Sequence, residues 1–402
     1  MTYFHARPDL ARNLVEQLTG KSFFSGATNG LFLAAPRRTG KSMFLQHDLR
    51  PALEREDVIV IYVDLWANKE RDPGDLIAER IAGEVSNHLG AIAKAVKGSQ
   101  ITSIGNWLKI DTSKIGKIDG MTLADALRTL HEMSRKPIAL MIDEAQHALT
   151  SAQGDTAMTA LKSARDQLNS PEQTNLMLIM SGSDRDKLMR LVNSNAAPFF
   201  GSTITTMPAL GRDYVEALAR QVEIGNPALK PIDVEKLWEA FQRYRHRPEP
   251  FGSALRFVGN PLNDPPPGPG FEDSLLSMSD EWQKDQQRTM ASSFLGLRPI
   301  EQVVLWRMLE QESRFRPYDA DALAFYRDKL GKKISAQQVQ NALDQLREQS
   351  PVLAWRSARK EYSLEDTAMV EWYKRRVSEK TWPPQDHSGK TFSQNLPEDN
   401  AS

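Results

Sequence analysis

Three consecutive residues near the start of the chain, Gly40, Lys41 and Ser42, have the groups needed to hold a polyphosphate. A glycine lets the backbone approach phosphate oxygens, and the N–H groups that begin a following helix point at them. Lysine offers a positive charge to the β- and γ-phosphates, and a serine hydroxyl is a ligand for Mg²⁺. The triplet is therefore a candidate site for the phosphates of a nucleotide and for a magnesium ion. The alternative is a chance Gly-Lys-Ser at the start of a helix, so the residues around the triplet must decide.

The residues around the triplet supply the context that such a loop requires. The apolar run Gly30–Ala35 precedes it and a helical pattern follows it, which is the strand–loop–helix order of a Gly-x-x-x-x-Gly-Lys-Ser/Thr loop. Ala35 stands where that pattern has its first glycine, and every ligand group is still present. The residues expected to contact the nucleotide are Pro36, Arg37, Arg38, Thr39, Gly40, Lys41, Ser42 and Met43.

Two adjacent carboxylates, Asp143 and Glu144, follow the apolar run Ile138–Ile142. Ligands of α/β sheets bind at the carboxyl ends of the strands, where these two side chains would lie. We expect Asp143, with Ser42, to hold Mg²⁺, and Glu144 to polarise the water that attacks the γ-phosphate. The alternative is a strand end with two solvated acids, which the phosphate-binding loop makes less favourable.

Small hydroxyl residues end another apolar run, Leu176–Met180, which is followed by Ser181, Gly182 and Ser183. A hydroxyl at the end of a neighbouring strand could help to place the attacking water. The same residues are also typical of the start of a turn. From the residues alone the two interpretations are evenly matched.

The elements that would position these residues alternate between strand and helix. Short, continuous apolar runs are typical of parallel strands covered by helices on both faces. The predicted strands are Gly30–Ala35, Val58–Trp66, Ile138–Ile142 and Leu176–Met180. The predicted helices between and after them are Ser42–Glu54, Asp75–Leu89, Thr122–Arg135 and Ala157–Leu168. We therefore predict an α/β core over residues 1–211.

The rest of the chain divides into four further segments. Residues 212–260 have helical spacing and little strand character, which indicates a helical lid. Residues 261–297 begin with NPLNDPPPGPG and are predicted to be a Pro-rich linker and connecting segment. Residues 298–382 show three helices and a basic-tipped hairpin, typical of a winged helix, and the polar tail 383–402 is predicted to be disordered.

Taken together, these motifs resemble a known family. Pro36–Ser42, the run Ile138–Gln146 (IALMIDEAQ) and Ser181–Ser183 are similar to the motifs of archaeal/STAND-type ATPases in the AAA+ superfamily of P-loop proteins. That branch is related to initiator and transposition-regulator ATPases. The motif resemblance covers about residues 1–260, and the lid and winged helix extend it to about residue 380.

The resemblance implies further roles. Such proteins hydrolyse ATP with Mg²⁺, often as homo-oligomers in which an arginine from a neighbouring subunit completes the site. It implies that Lys41 and Glu144 are catalytic and that Ser183 or Ser181 is a sensor. It also implies that an arginine of the lid contacts the nucleotide, for which Arg247 is favoured and Arg256 is the alternative. Relatives carry the trans-acting arginine near a segment like Pro198–Gly201, but Ser202 follows here. The candidates that remain are Arg185, Arg190 and Arg212.

The C-terminal segment leaves the partner open between DNA and protein. The recognition helix predicted at Ser335–Gln349 has amide side chains able to hydrogen-bond to base edges, but it carries a single arginine. Those amides are Gln337, Gln338, Gln340 and Asn341. Positive charge is concentrated at Arg356, Arg359 and Lys360 on the hairpin and at Lys374–Arg376.

Composition narrows the classes of function. The 402 residues carry a formal charge of −1, so no global field draws the chain to nucleic acid or to an anionic membrane. The chain has no cysteine, which excludes disulfides, thiolate metal sites and cysteine nucleophiles. The absence of a signal-peptide pattern and of long apolar runs predicts a cytoplasmic protein without membrane contact.

These observations lead to one main hypothesis and two alternatives. The main one is a Mg²⁺-dependent ATPase in which ATP binds between the core and the lid and switches an interaction with DNA or protein. The first alternative is a slowly hydrolysing, nucleotide-gated module in a defence or signalling assembly. The second is a DNA-binding regulator that forms rings or filaments with ATP.

Overall fold

The computed structural model shows two compact units. Unit 1 comprises Met1–Gln221 and His246–Gly252, and unit 2 comprises Val222–Arg245 and Ser253–Ser402. The residues that the structure describes are 3–22, 27–68, 70–96, 115–116, 120–193, 197–260, 270–366 and 368–385. Most of the predicted disordered tail, residues 386–402, and the Pro-rich stretch 261–269 lie outside them.

Unit 1 has the predicted alternation of strands and helices. Its strands are β1 (Leu31–Ala34), β2 (Ile59–Asp64), β3 (Ile138–Asp143), β4 (Leu176–Gly182) and β5 (Ile204–Thr206). Its helices begin with α1 (Pro8–Leu18), α2 (Lys41–Phe44), a π-helical turn (Leu45–Leu49) and α3 (Arg50–Arg55). They continue with α4 (Pro73–Val96), α5 (Leu123–Ser134), a 3₁₀ turn (Ala145–Thr150), α6 (Ala152–Leu168) and α7 (Arg185–Met189).

The five strands form one parallel sheet in the order β2-β3-β4-β1-β5. All residues of β1, β3 and β4 are buried. One face packs on α1 and on the helical run that follows the loop, through side chains that alternate along each strand, such as Leu31 and Leu33. This is the predicted α/β fold, and it brings the ends of β1, β3 and β4 to one edge.

The region predicted as a helical lid contains three α-helices, with a short 3₁₀ turn, Pro227–Leu229, between the first two. They are α8 (Arg212–Gly225), α9 (Val234–Arg243) and α10 (Pro248–Val258). The division between the units runs through this region, because residues 246–252 belong to unit 1 and α9 belongs to unit 2.

The segment predicted as linker, 261–297, needs a correction. Residues Gly270–Leu295 form α11, a helix of 26 residues. It packs on α9, and its Phe271 and Leu275 are buried. Lys236 and Arg243 of α9 form ion pairs with its acidic residues. Since its sequence is mostly polar, the narrow apolar stripe gives only a weak helical signal.

The C-terminal part of unit 2 is a winged helix, as predicted. Its elements are α12 (Pro299–Gln311), α13 (Ala320–Leu330), α14 (Ala336–Glu348), the antiparallel pair β6 (Ala354–Arg356) and β7 (Tyr362–Leu364), and α15 (Ala368–Ser378). The three helices and the hairpin share one core that includes Val303, Leu343 and Trp372. Among the described residues of the whole chain, none forms a helix both long and apolar enough to cross a membrane.

Trp382, at the end of the winged helix, is predicted to stabilise it. Its ring lies 4.7–5.5 Å, between centroids, from those of Phe294, Trp306, Trp372 and Tyr373. We expect Trp382→Ala to lower the free energy of unfolding by about 2–3 kcal/mol, less than for a fully buried tryptophan because Trp382 is partly exposed. Denaturant unfolding measures this, and Val377→Ala on exposed α15 surface is the control, with a change within about 0.5 kcal/mol.

Candidate nucleotide site

The loop between β1 and α2 has the backbone that a phosphate site requires. Gly40 has φ of 90° in the left-handed region, which glycine adopts without strain, and Lys41 begins α2 directly after it. The Thr39 hydroxyl donates to the carbonyl oxygen of Pro36 at 2.7 Å and closes the loop. Ala35 is not among the residues with positive φ, and its N–H donates to Gly182 of β4 at 3.1 Å. A Cβ is therefore tolerated where the pattern has its first glycine.

Lys41 lies at the centre of a buried cluster at the edge of the sheet. Its Nζ donates to Glu144 Oε1 at 2.9 Å and to Ser181 Oγ at 3.3 Å, and it forms a short ion pair with Asp143. The side chains of Lys41 and Asp143 are only 5% and 2% exposed. One ammonium group thus partly balances two carboxylates in a place with little water.

Asp143 accepts hydrogen bonds on both carboxylate oxygens. Oδ2 accepts from Ser42 Oγ at 2.5 Å and from the Tyr62 hydroxyl at 3.1 Å, and Oδ1 accepts from Ser181. Burial acts to raise the pKa of Asp143, but the charge of Lys41 and these hydroxyl donors outweigh it and hold the pKa below its usual value. The carboxylate is therefore ionised at neutral pH.

Glu144 is held at a special backbone position. Its φ of 55° is left-handed, and it caps the 3₁₀ turn Ala145–Thr150. While Oε1 faces Lys41, Oε2 accepts from Ser183 Oγ at 2.8 Å and from Gln146 Nε2 at 2.6 Å. Burial acts to raise the pKa of Glu144, yet Lys41 and these two donors lower it, so the group is a base at neutral pH.

The three residues after Met180 each contact a different residue of the cluster. Ser181 donates to Asp143 and lies beside Lys41, and Ser183 donates to Glu144. The backbone of Gly182 lies against the Gln146 side chain, where a Cβ would come within 2.5 Å of Gln146 Oε1. Each serine therefore donates a hydrogen bond to one of the two carboxylates, Ser181 to Asp143 and Ser183 to Glu144.

Sequence reasoning missed three polar residues of this cluster. Tyr62 interrupts an apolar strand and its hydroxyl reaches Asp143, and Gln146 sits two residues after Glu144. Asp64 ends β2 directly beside Asp143 in the strand register, and burial together with the charges of Asp143 and Glu144 raises its pKa. A signal was present, because a polar residue inside or just after a buried strand must have a partner.

The other predicted nucleotide contacts surround this cluster. Arg37 lies over the ring of Trp66, with 5.1 Å between its guanidinium carbon and the ring centroid. Met43 is 44% exposed at the start of the helix. Arg38 forms an ion pair with Glu249 at 3.2 Å, and both side chains are exposed.

That ion pair brings the segment with Arg247 to the phosphate-binding loop, within unit 1. Arg247 lies two residues before Glu249 and directly after Arg245 and His246, which both adopt left-handed φ values of 55° and 53°. Two successive left-handed residues turn the chain sharply between α9 and α10. The role predicted for Arg247 as a nucleotide contact is compatible with this place and stays a prediction.

The three arginines predicted to act on a neighbouring subunit lie elsewhere in unit 1. Arg185 donates to the carbonyl of Ile204 at 3.3 Å and to the Thr206 hydroxyl at 3.2 Å, both on β5. Arg212 donates to Glu216 at 3.3 Å within α8. Arg190 immediately follows α7. Which of them acts across a subunit boundary stays a prediction.

The order of the strands decides the type of fold. β4, with its serines, lies between β1, which leads into the phosphate-binding loop, and β3, which ends in the two acids. This is the P-loop α/β fold that the sequence predicts. In this fold the lysine of the loop, the acid pair and the polar end of β4 meet at the carboxyl ends of three adjacent strands.

Comparisons with known proteins give distant likenesses. No family model and no curated protein matches the sequence. Similar solved structures include the Aeropyrum pernix ORC1 protein in complex with DNA, at 15% identity, TM-score 0.41 and 92% coverage of each chain. Another is the ADP form of the Aeropyrum pernix ORC2 protein, at 14% identity, TM-score 0.48 and 93% coverage of each. AMPPCP-bound DnaA from Aquifex aeolicus has 14% identity, TM-score 0.36, and coverage of 94% of this chain and 90% of that one.

These TM-scores all lie below 0.5. The P-loop fold is therefore assigned from the strand order and from the positions of the motifs in this chain.

Proposed function

We propose that the protein binds ATP with Mg²⁺ and hydrolyses it. The observation that carries this proposal is the single cluster in which Lys41, Ser42, Asp143 and Glu144 meet at the end of a phosphate-binding loop. A cation for phosphate oxygens, two oxygen ligands for a metal and a base for water are the groups that γ-phosphate hydrolysis requires.

Each residue has a distinct part in this proposal. Lys41 binds the β- and γ-phosphate oxygens, exchanging carboxylate partners for phosphate oxygens. Glu144 accepts a proton from the attacking water at Oε1, and Ser183 orients that carboxylate. Arg247 is proposed as a further nucleotide contact from the segment beside Arg38.

The metal ligands fit Mg²⁺. Ser42 Oγ and Asp143 Oδ2 are 2.5 Å apart and both are hard oxygen ligands. In the described part of the chain no group of three or more His, Asp or Glu could hold a metal by itself, as expected for an ion that also binds waters and substrate phosphates. When bound, Mg²⁺ would offset the negative charge that develops on the phosphate oxygens.

Phosphate release from ATP by the purified full-length chain tests the proposal. We expect release that requires Mg²⁺ and stops on addition of EDTA. A chain that neither binds a fluorescent ATP analogue nor releases phosphate in the presence of Mg²⁺ would contradict it.

We further propose that the ATP state switches an interaction with a partner, with duplex DNA favoured over protein. The supporting observation is one face of α14, where the exposed side chains other than Ala336 are amides and none carries negative charge in the first two turns. The amide oxygen of Gln338 also accepts from the Ser335 N–H at 2.9 Å in the capping box. The exposed amides are Gln337, Gln338, Asn341 and Gln345, and exposed Lys332 and Lys333 precede them in the turn before the helix.

Gln340 does not belong to this face, although the sequence suggested it. It is hydrogen-bonded to Tyr318 and Tyr362 and donates to Asp344 at 2.8 Å, so its amide stabilises the winged helix itself. Residues that are neighbours in the sequence of a helix point in different directions, and Gln340 points towards Tyr362 of the hairpin.

The DNA proposal predicts a salt-dependent interaction. Changing Lys332 and Lys333 together to alanine should weaken binding to a labelled duplex and reduce the slope of log K against log[salt] by about 2, roughly one for each lost phosphate contact. The control is the pair Lys136→Ala and Lys162→Ala, an equal loss of charge on unit 1, which should leave the slope unchanged.

Two other outcomes would favour the alternatives. Wild-type protein that shifts no duplex with ATP, but retains a protein partner in a nucleotide-dependent way, would favour a protein-interaction module. Size-exclusion chromatography with a non-hydrolysable ATP analogue, with and without DNA, separates a monomeric switch from a homo-oligomeric ring or filament.

A further inference from the structure

We propose that Gln146 is a positioning residue that fixes the Glu144 carboxylate for hydrolysis. This inference rests on the proposed ATPase function, because it assigns a role within the same site. Gln146 is 1% exposed, and it lies in the 3₁₀ turn that Glu144 caps. It would act through Glu144 rather than on the nucleotide.

The direction of the contact follows from chemistry. Gln146 Nε2 lies 2.6 Å from Glu144 Oε2, and an ionised carboxylate only accepts hydrogen bonds. The amide nitrogen must therefore face Glu144, which puts the amide oxygen on the opposite side. Within the described part of the chain, that buried oxygen accepts no hydrogen bond.

A buried acceptor without a hydrogen bond, such as Gln146 Oε1, costs folding free energy. The presence of a glutamine here must therefore be explained by what its amide nitrogen does. If the side chain only filled space, an apolar residue of the same length would pack there without that cost. The amide instead gives a hydrogen bond to Glu144, and a second, weak one at 3.5 Å to Ser183. The polar end of Gln146 is therefore directed at the acid.

The backbone of β4 holds the amide from the other side. A Cβ on Gly182 would lie 2.5 Å from Gln146 Oε1 and 3.3 Å from Leu188 Cδ1. A glycine at this position leaves room for the amide to reach Glu144. This contact explains why a glycine separates the two serines that face the acids.

The two donors to Oε2 decide which oxygen of Glu144 acts as the base. Gln146 and Ser183 both donate to Oε2, whereas Oε1 faces Lys41, the phosphate-binding cation. The charged groups around Glu144 are Lys41, Asp143 and Asp64. With Oε2 held by two donors, Oε1 is the oxygen left to receive the proton.

Gln146→Met tests this role, because methionine has a similar length and no donor. We expect kcat for ATP hydrolysis to fall about tenfold to a hundredfold, with the dissociation constant for ATP unchanged. Gln167→Met, an exposed change of the same kind on α6, is the control and should alter neither quantity.

Two further variants separate positioning from general structural damage. In a Glu144→Gln background, adding Gln146→Met should not lower the residual rate further, since the group it positions is already gone. Gly182→Ala should displace the amide from the other side and lower kcat in the same way. An additive loss in the Glu144→Gln background, or an unchanged kcat in a folded Gln146→Met, would overturn the inference.

The outcomes distinguish this inference from the proposed function. If the wild type hydrolyses ATP and Glu144→Gln stops it, while Gln146→Met keeps the wild-type rate, only the positioning role is wrong. If the wild type shows no hydrolysis, or Glu144→Gln hydrolyses ATP normally, the proposed function fails and the positioning role fails with it.

Discussion

Glu144→Gln is expected to slow ATP hydrolysis by about 10²–10⁴-fold, the usual contribution of a general base, and to leave ATP binding nearly unchanged. The amide has the shape of the carboxylate but does not take a proton from water. Its oxygen can still accept from Ser183 and Gln146 in the place of Oε2. Its nitrogen then takes the place of Oε1, which is compatible with bound ATP because Lys41 has exchanged Glu144 for phosphate oxygens. The variant should therefore hold ATP without turning it over.

Two measurements check this prediction. A fluorescent ATP analogue gives the dissociation constant, and phosphate release in a single turnover gives the rate of the chemical step. Glu172→Gln, an exposed change of the same type before β4, is the matched control and should have wild-type rates. Hydrolysis by Glu144→Gln at the wild-type rate would mean that another group accepts the proton.

The core of the fold was predictable because its strands are continuous apolar runs. Ile138–Ile142 and Leu176–Met180 are buried on both faces, so every residue in them is apolar. Such strands can be recognised without the alternation of apolar and polar residues that marks a half-buried strand. The edge strand β5 has three residues, Ile204–Thr206, of which two are exposed. No apolar run marks such a strand, and only its pairing with β1 defines it.

The candidate site was predictable where neighbours in sequence carry the chemistry. Lys41 and Ser42 belong to one loop, and Asp143 and Glu144 follow one strand, so their roles follow from local patterns. The contact of Tyr62 with Asp143 and those of Gln146 with Gly182 and Ser183 depend on which strands are adjacent, and the sequence does not specify that order. The left-handed backbone conformation of Glu144, which directs its carboxylate, also could not be predicted, because glutamate does not favour that conformation.

Long-range packing explains the rest of what was missed. The helix α11 follows a proline-rich stretch and is mostly polar, and its helical structure is supported by packing and ion pairs with α9. Gln340 looks like a base-reading amide in the sequence, but Tyr318 and Tyr362 bind it from other elements. In both cases the deciding partner is distant in the chain.

Lys41→Met is expected to lower the affinity for ATP at least about a hundredfold and to destabilise unit 1. The first effect follows from the loss of charge-assisted hydrogen bonds to phosphate oxygens. The second follows because Asp143 and Glu144 lose their cation while they stay buried, and removal of one partner from a buried ion pair typically costs about 3–5 kcal/mol. Methionine keeps the length of the side chain, so the variant tests charge rather than volume.

The pH dependence of stability gives the sharper test. The wild type should lose stability from this site as the pH falls, whereas Lys41→Met should lose it as the pH rises. In the wild type the pKa values of Asp143 and Glu144 are lowered, so their stabilisation is present above the usual carboxyl range and is lost as the pH falls. Without Lys41, burial and mutual repulsion raise both values, and stability is lost as the pH rises. The thermal midpoint of Lys41→Met should therefore fall further below that of the wild type between pH 5 and pH 8.

Removing one carboxylate should reverse part of that loss. In the double variant Lys41→Met with Asp143→Asn, two acids, Glu144 and Asp64, remain in the cluster instead of three. The repulsion is therefore weaker, and the thermal midpoint at pH 8 should recover part of the way towards that of the wild type. ATP affinity should not recover, because the phosphate-binding cation is still absent. A Lys41→Met midpoint that stays the same distance below the wild type from pH 5 to pH 8 would show that the buried ion pair does not control the stability of this site.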